Sequence, residues 1–183
     1  MKSIIIYGSL YGTTKKYAEE LSRRTNIQVI SFEDIKEINN YDNIIYLGGL
    51  YAGGVLGMAK TLKKLANIQN KTIILVTVGL ADPTDKENIN NIRNNMKGQL
   101  KKEVFEKAKI FHLRGGIDYS KLKFAHKTMM KLLYNVAKGL PEDKKTAEDR
   151  AMVDTYNKKV DFVDFSDLDN IISEILKENA YGK

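Results

Sequence analysis

Ser3-Ile4-Ile5-Ile6-Tyr7-Gly8-Ser9-Leu10-Tyr11-Gly12-Thr13-Thr14 stands almost at the start of the chain, and its reading decides the fold. The first five residues are a short β-branched apolar run, the pattern of a strand buried on both faces. Over 14–24 the apolar residues take helical spacing, with Tyr17, Ala18 and Leu21 on one side and lysines, glutamates and arginines on the other. A strand that enters a helix through such a turn presents free backbone N–H groups at the helix N-terminus, where an anion binds readily. Ser9, Thr13 and Thr14 add hydroxyl donors, and Gly12 lets the backbone come close to a ligand. The loop contains no lysine, and its spacing is neither that of the nucleotide-triphosphate loop nor the dinucleotide fingerprint. It is either a monophosphate cradle of neutral donors or an ordinary hydroxyl-rich helix cap.

Outward from this turn, strands and helices alternate. Strands are expected at 27–30, 44–47, 72–78 and 110–113. A helical turn is expected at 33–38, a helix at 58–66, and a polar helical region at 86–107, broken near Gly98. Ser166 reads as the N-cap of a last helix whose apolar stripe is Leu168, Ile171, Ile172, Ile175 and Leu176. This alternation predicts a doubly wound α/β fold, with five parallel strands in the order 2-1-3-4-5 and helices on both faces. In that order a ligand lies beyond the carboxyl ends of strands one and three. Residues 114–165 exceed the minimal scheme and form a helical excursion before the last helix. Length places the whole of 1–183 in one domain.

Two further turns border the same end of the sheet. After the third strand comes Gly48-Gly49-Leu50-Tyr51-Ala52-Gly53-Gly54, with Gly57 close behind. Glycine at this density permits backbone flips and close approach to a flat ring. Tyr51 is either the aromatic wall of such a site, with Leu50 as its apolar neighbour, or a surface tyrosine. After the fourth strand comes Gly79-Leu80-Ala81-Asp82-Pro83. Residues 47–59 hold no acidic side chain.

Composition excludes several chemistries. There is no cysteine among the 183 residues, so disulfides, thiolate metal sites and cysteine nucleophiles are ruled out. With His112 and His126 the only histidines, no multi-histidine metal centre is expected. Hydrophobic residues make up 43%, which rules out wholesale disorder. No apolar run reaches the roughly 18 residues of a membrane span, and the N-terminal run is a strand rather than a signal peptide. A cytoplasmic protein, soluble or peripheral on the inner face of a membrane, is the expectation.

The formal charge of +7 is localised. Residues 1–96 carry +3, 97–138 carry +8 and 139–183 carry −4. Within the basic stretch, 121–138 read as a helix with Leu122, Ala125, Met129, Leu132, Leu133 and Val136 on one face, widened by Phe124 and Met130. Lys123, Lys127 and Lys131 share the other side. Such a helix either packs its apolar face on the protein body or lies on an anionic membrane. His126, among lysines, reads as a surface side chain. The region has few interleaved aromatics and no nucleic-acid-binding motif, so nucleic acid is not an expected partner.

The turn at 8–14, between a matching strand and helix, resembles the flavodoxin family, whose phosphate motif is a hydroxyl residue, two residues, Gly, one residue, then Thr. Ser9, Gly12 and Thr14 meet that motif. The resemblance implies FMN as cofactor, held by Ser9, Leu10, Tyr11, Gly12, Thr13 and Thr14. It gives the ring walls to Gly49, Leu50, Tyr51, Ala52 and Gly53, and the other ring edge to Gly79, Leu80 and Ala81, whose backbone would serve the flavin's polar edge. Low-potential carriers of this family place acids near the flavin, so the acid-free loop at 47–59 predicts a flavin easier to reduce.

The later sequence is similar to the menaquinone-dependent protoporphyrinogen oxidases. Gly115, Gly116 and Tyr119 match their turn, Met129-Met130-Lys131-Leu132-Leu133 their insertion helix, and Asp164-Phe165 stands where Asp-Trp is common. Phe165 for tryptophan and the glycine-rich loop at 48–57 depart from that pattern. This resemblance implies a heme-biosynthetic oxidoreductase passing electrons from a porphyrinogen to a membrane quinone. Arg114 or the helix lysines would attract substrate carboxylates, Tyr51 and Tyr119 would stand near the site, and the 121–138 helix would approach the membrane. No general base can be named. A flavodoxin-type electron carrier and an FMN-dependent quinone reductase are the alternatives.

Overall fold

Ile4, Ile5 and Ile6 are all fully buried, because strand geometry sends Ile4 and Ile6 to one side of the sheet and Ile5 to the other. They form β1 (Ser3–Gly8). The computed structural model describes residues 1–51 and 53–181. After β1 come α1 (Thr13–Thr25), β2 (Val29–Ser31), β3 (Asn43–Tyr51), β4 (Gly54–Val55) and α2 (Met58–Leu62). Next are β5 (Thr72–Gly79), α3 (Lys86–Gln99), α4 (Lys102–Lys107) and β6 (Lys109–Arg114). The excursion holds β7 (Gly116–Asp118), α5 (Phe124–Gly139), α6 (Ala147–Thr155) and β8 (Lys159–Asp161), and α7 (Leu168–Tyr181) closes the chain.

The five parallel strands run β2-β1-β3-β5-β6, the expected order, so the chain has the flavodoxin-like α/β fold. β4 is an addition, antiparallel to the end of β3. Each sheet face has its own core. Ile4, Ile6, Ile44, Tyr46 and Leu75 pack with Met58 and Leu62 of α2, Ile92 and Met96 of α3 and Val104 of α4. Ile5, Ile45, Leu47, Ile74 and Val76 pack with Tyr17, Ala18 and Leu21 of α1 and Leu168, Ile171 and Ile175 of α7.

Several local expectations are corrected. Residues 33–38 form no helix; Ile35 and Ile38 enter the core from irregular chain. The helix expected to reach residue 66 ends at Leu62. The break expected near Gly98 falls at Leu100–Lys101. The last helix is not capped by Ser166. Ser166 lies in a 3₁₀ turn and donates its N–H to the Asp164 carboxylate at 2.9 Å.

The excursion leaves the sheet at Arg114 and returns through the β7–β8 ribbon, which pairs Gly116 with Asp161 and Asp118 with Lys159. Tyr17 ties the two ends together. Its hydroxyl donates to the Arg114 carbonyl at 2.8 Å and accepts from the Asp164 N–H at 3.0 Å. Inside the excursion Tyr156 stacks on Tyr134 (centroids 3.9 Å) and meets Tyr119 edge-on at 5.3 Å. Of α5 only Ala137 is buried. Among the described residues no helix is long and apolar enough to cross a membrane.

Candidate functional site

β1 ends at Gly8 because no side chain fits there: an added Cβ would stand 2.2 Å from the Leu56 carbonyl oxygen. The chain then turns through Ser9, whose hydroxyl oxygen accepts the Gly12 N–H at 3.1 Å. Gly12 adopts φ +94°, a left-handed conformation that other residues resist. An added Cβ would meet no protein atom within 4 Å, so within the protein it is the turn's conformation that calls for glycine. α1 starts at Thr13, and its first intrahelical bond runs from the Lys16 N–H to the Gly12 carbonyl. The N–H groups of Thr13, Thr14 and Lys15 therefore have no intrahelical acceptor. Thr13 donates its hydroxyl to the Gly116 carbonyl at 3.3 Å, which links the turn to the excursion.

The glycine-rich segment after β3 is a hairpin rather than a flexible loop. β4 folds back so that Leu50 faces Val55 and Tyr51 faces Gly54. Gln99 of α3 clamps it, donating to the Gly53 carbonyl at 3.3 Å and accepting the Val55 N–H at 3.4 Å. Ala52, expected among the cofactor-binding residues, lies outside the described residues. Leu50 bridges to the next turn: a Cβ on Gly79 would sit 2.7 Å from Leu50 Cδ1. Beyond β5 the Gly79 carbonyl accepts the Gly115 N–H at 2.6 Å and the Leu80 carbonyl accepts Arg114 Nε at 3.1 Å. These two carbonyls each hold one hydrogen bond within the protein. Arg114 also lies over Phe162, its guanidinium 3.8 Å from the ring centroid.

All three turns border one cavity of about 480 Å³. Of the predicted site residues, Ser9, Leu10, Tyr11, Thr13, Thr14, Gly49, Leu50, Tyr51, Gly53, Gly79, Leu80 and Ala81 line it; Gly12 is not among the lining residues. Tyr119 stands one layer behind the lining. It is buried, with its hydroxyl 3.8 Å from Met152 Sδ.

The excursion roofs this cavity, which the sequence reading did not anticipate. α5 contributes His126, Met129, Met130, Leu133 and Val136; α6 contributes Glu148, Asp149, Ala151 and Met152; Ile92 and Asn95 come from α3. His126, expected on the surface, is the hinge pin of the arrangement. Its Nδ1 is hydrogen-bonded to the Tyr11 hydroxyl and its Nε2 to the Tyr51 hydroxyl at 3.2 Å. The Lys123 N–H donates to the Tyr11 oxygen at 3.2 Å. A neutral imidazole protonated on Nε2 satisfies the whole chain: Lys123 N–H to Tyr11, Tyr11 O–H to Nδ1, and Nε2–H to Tyr51. One residue of the excursion thus joins the first turn to the hairpin.

The acids of the site also come from the excursion, so an acid-free hairpin is not an acid-free cavity. Asp149 is used in a capping box with Thr146, its carboxylate accepting the Thr146 hydroxyl at 2.8 Å. Glu148 borders the cavity while staying largely exposed; partial desolvation there raises its carboxyl above the usual range, with the Asp149 charge adding to the effect. The other histidine is structural. His112 on β6 contacts the Thr77 hydroxyl through Nδ1 at 2.7 Å, and burial, aided by the Arg93 charge, holds it down to about 4.

Residues 4–145 match the model of the flavodoxin domain family. The chain belongs to that family. A comparison with curated proteins finds no significant match. Among solved structures, this flavodoxin domain is similar to the Fusobacterium nucleatum flavodoxin bound to flavin mononucleotide, with 19% identity over 97% of this chain and 99% of that one, at a TM-score of 0.51. It also matches a Lactobacillus acidophilus flavoprotein in complex with FMN (16% identity, 62% of this chain, 92% of that chain, TM-score 0.41). A third match is an oxidised flavodoxin from Bacillus cereus (18%, 62%, 84%, 0.42). At these identities the likeness speaks to the fold.

Proposed function

We propose that this flavodoxin domain binds FMN at the three-turn cavity and works as a flavodoxin-type electron-transfer protein. The observation that carries the reading is the first turn: a left-handed Gly12, free N–H groups at the start of α1 and the hydroxyls of Ser9, Thr13 and Thr14, all at the topological switch point of the sheet. The donor set suits a phosphate monoester, and Leu50, Tyr51 and Leu80 supply apolar walls for a flat ring. The FMN-bound Fusobacterium and Lactobacillus relatives support the same cofactor. Bound FMN would supply reversible electron transfer, while this chain holds the phosphate and shields the ring from water. Titrating the apoprotein with FMN and with riboflavin tests the placement. Two charge-assisted hydrogen bonds to phosphate, at about 1.5 kcal/mol each, predict FMN binding about 100-fold tighter. Equal affinity for the two would refute it.

One observation favours a second reading, an FMN enzyme that oxidises a porphyrinogen and passes electrons to a quinone. Met129, Met130, Leu133 and Met152 give the cavity an apolar roof, which an organic substrate needs and an electron carrier does not. The turn on which that resemblance rests serves packing instead, with Gly116 in the β7–β8 ribbon and Tyr119 buried beside Tyr156. Electron transfer therefore stands first. Anaerobic mixing of the yellow protein with protoporphyrinogen decides between them: flavin bleaching faster than with free FMN would reverse the order.

A further inference from the structure

α5 carries two apolar strips, and only one is partnered. Met129, Met130 and Leu133 face the cavity, and Ala137 is buried beneath. Phe124 and Leu132 point the other way, 86% and 65% exposed, with Val136 at the edge between them, 59% exposed. The two readings open in the sequence, packing and membrane, thus belong to opposite sides of one helix.

The outward strip is bordered by charge of one sign. At about 100° per residue, Lys127, Lys131 and Lys138 fall within about 40° of one another, alongside Phe124. Lys121 and Lys123 precede the helix, and residues 124–139 contain no aspartate or glutamate. Among the described residues none of these five lysines forms an ion pair. Lys127 reaches only the Ser120 carbonyl, at 3.5 Å, and Lys138 lies over the Tyr134 ring. Elsewhere on the excursion lysine charge is spent internally, as in the Lys145–Glu142 pair at 2.9 Å.

We propose that the outward face of α5 docks on an anionic phospholipid bilayer. Unpaired lysines alone would serve any polyanion. Phe124 and Leu132, about 12 Å apart along the axis, suit a broad apolar phase entered shallowly rather than one pocket on a folded partner. The lysine stems are long enough to keep their ammonium groups among lipid phosphates while the two apolar side chains sit below them. The roof of the cavity would then be the membrane-facing element, independent of which cofactor lies beneath.

The test is flotation of the full-length chain with vesicles of phosphatidylcholine alone and with phosphatidylglycerol added. Binding is expected only to the anionic vesicles, and to weaken with salt. Each lysine near such a surface is worth about fivefold, so K127Q/K131Q/K138Q should lower the partition coefficient about 100-fold. F124S/L132S keeps every charge and should still lose about tenfold or more. All five positions are on the helix exterior, and unchanged circular dichroism melting would show that both variants fold. Equal binding to the two vesicle types overturns the proposal. So does unchanged binding of F124S/L132S, which would make the face a charge-only site for an acidic protein or polynucleotide.

Discussion

Replacing His126 by phenylalanine keeps a ring between Tyr11 and Tyr51 and removes only the hydrogen bonds. The ring centroids stand 5.7 and 5.6 Å from those of the two tyrosines, so a phenyl group fills the same space. Two hydrogen bonds between neutral groups disappear, each worth about 0.5–1.5 kcal/mol net, giving a loss of about 1–2 kcal/mol. Besides these bonds, this end of α5 is held by buried Leu122 just before the helix and by the Lys123 N–H to Tyr11, while the helix's own buried residue, Ala137, lies at the far end. The loss should therefore appear in local opening of the helix rather than in global unfolding. That energy corresponds to about a 5- to 30-fold larger open population. Hydrogen exchange followed by mass spectrometry on the apoprotein reads it directly: amides of 127–139 should exchange faster by that factor while those of β1, β3 and β5 do not change. In the FMN-loaded protein the same variant should release flavin faster, seen as recovery of free-flavin fluorescence. Unchanged exchange in α5, or equal acceleration throughout the sheet, would refute the claim that His126 holds the roof.

Gly12→Val forces a β-branched residue to φ +94°, at a cost of about 1–3 kcal/mol, and should weaken FMN binding by tenfold or more in a fluorescence titration; undiminished affinity would remove the conformational role assigned to Gly12. His112 has its folded pKa depressed to about 4 from 6.5, so the unfolded chain binds the extra proton between those values. Stability should be complete above pH 6.5 and fall as pH drops toward 4, by about 1–2 kcal/mol after allowance for solvent screening, and urea melts of His112→Gln should lose much of that slope. Glu148 has a raised pKa, so its ionisation opposes folding as pH rises above the ordinary carboxyl value. Glu148→Gln should raise the thermal midpoint slightly at pH 8, the effect being damped by solvent, and leave it unchanged at pH 4; an equal shift at both would show that charge is not the cause.

The central sheet was legible because its strands are buried on both faces. Ile4 to Ile6, Ile44 to Leu47 and Ile73 to Val76 leave no polar position to confuse the period. β2 was misplaced by two residues because an edge strand has one neighbour, and its three residues are only half-buried. In the excursion β7 and β8 are three residues each, too short to show alternation. α6 did leave a signal, Thr146-Ala147-Glu148-Asp149, a capping-box spacing that marks a helix start. The phosphate turn was readable because its donors are contiguous in sequence. His126 was not, since its partners lie 115 and 75 residues away and only the fold brings them together. The acid at the cavity was missed for the same reason, Glu148 arriving from a helix with no sequence link to the hairpin.

The β7–β8 ribbon has a consequence for how this chain can be built and rebuilt. It joins the excursion's two ends at neighbouring ladder positions, Asp118 opposite Lys159, before the chain goes on to α7. Everything between them is a detachable cassette with a narrow neck, and the sheet never passes through it. Shortening that loop from about forty residues to a turn of about four lowers its closure entropy by about 2 kcal/mol. The parallel strands and both cores would keep their contacts, while the cavity would lose its roof, its acid and its histidine at once. Exchange of the cassette is thus a way for one scaffold to acquire a new ceiling, and with it a new surface, without renegotiating the fold that holds the three turns in place.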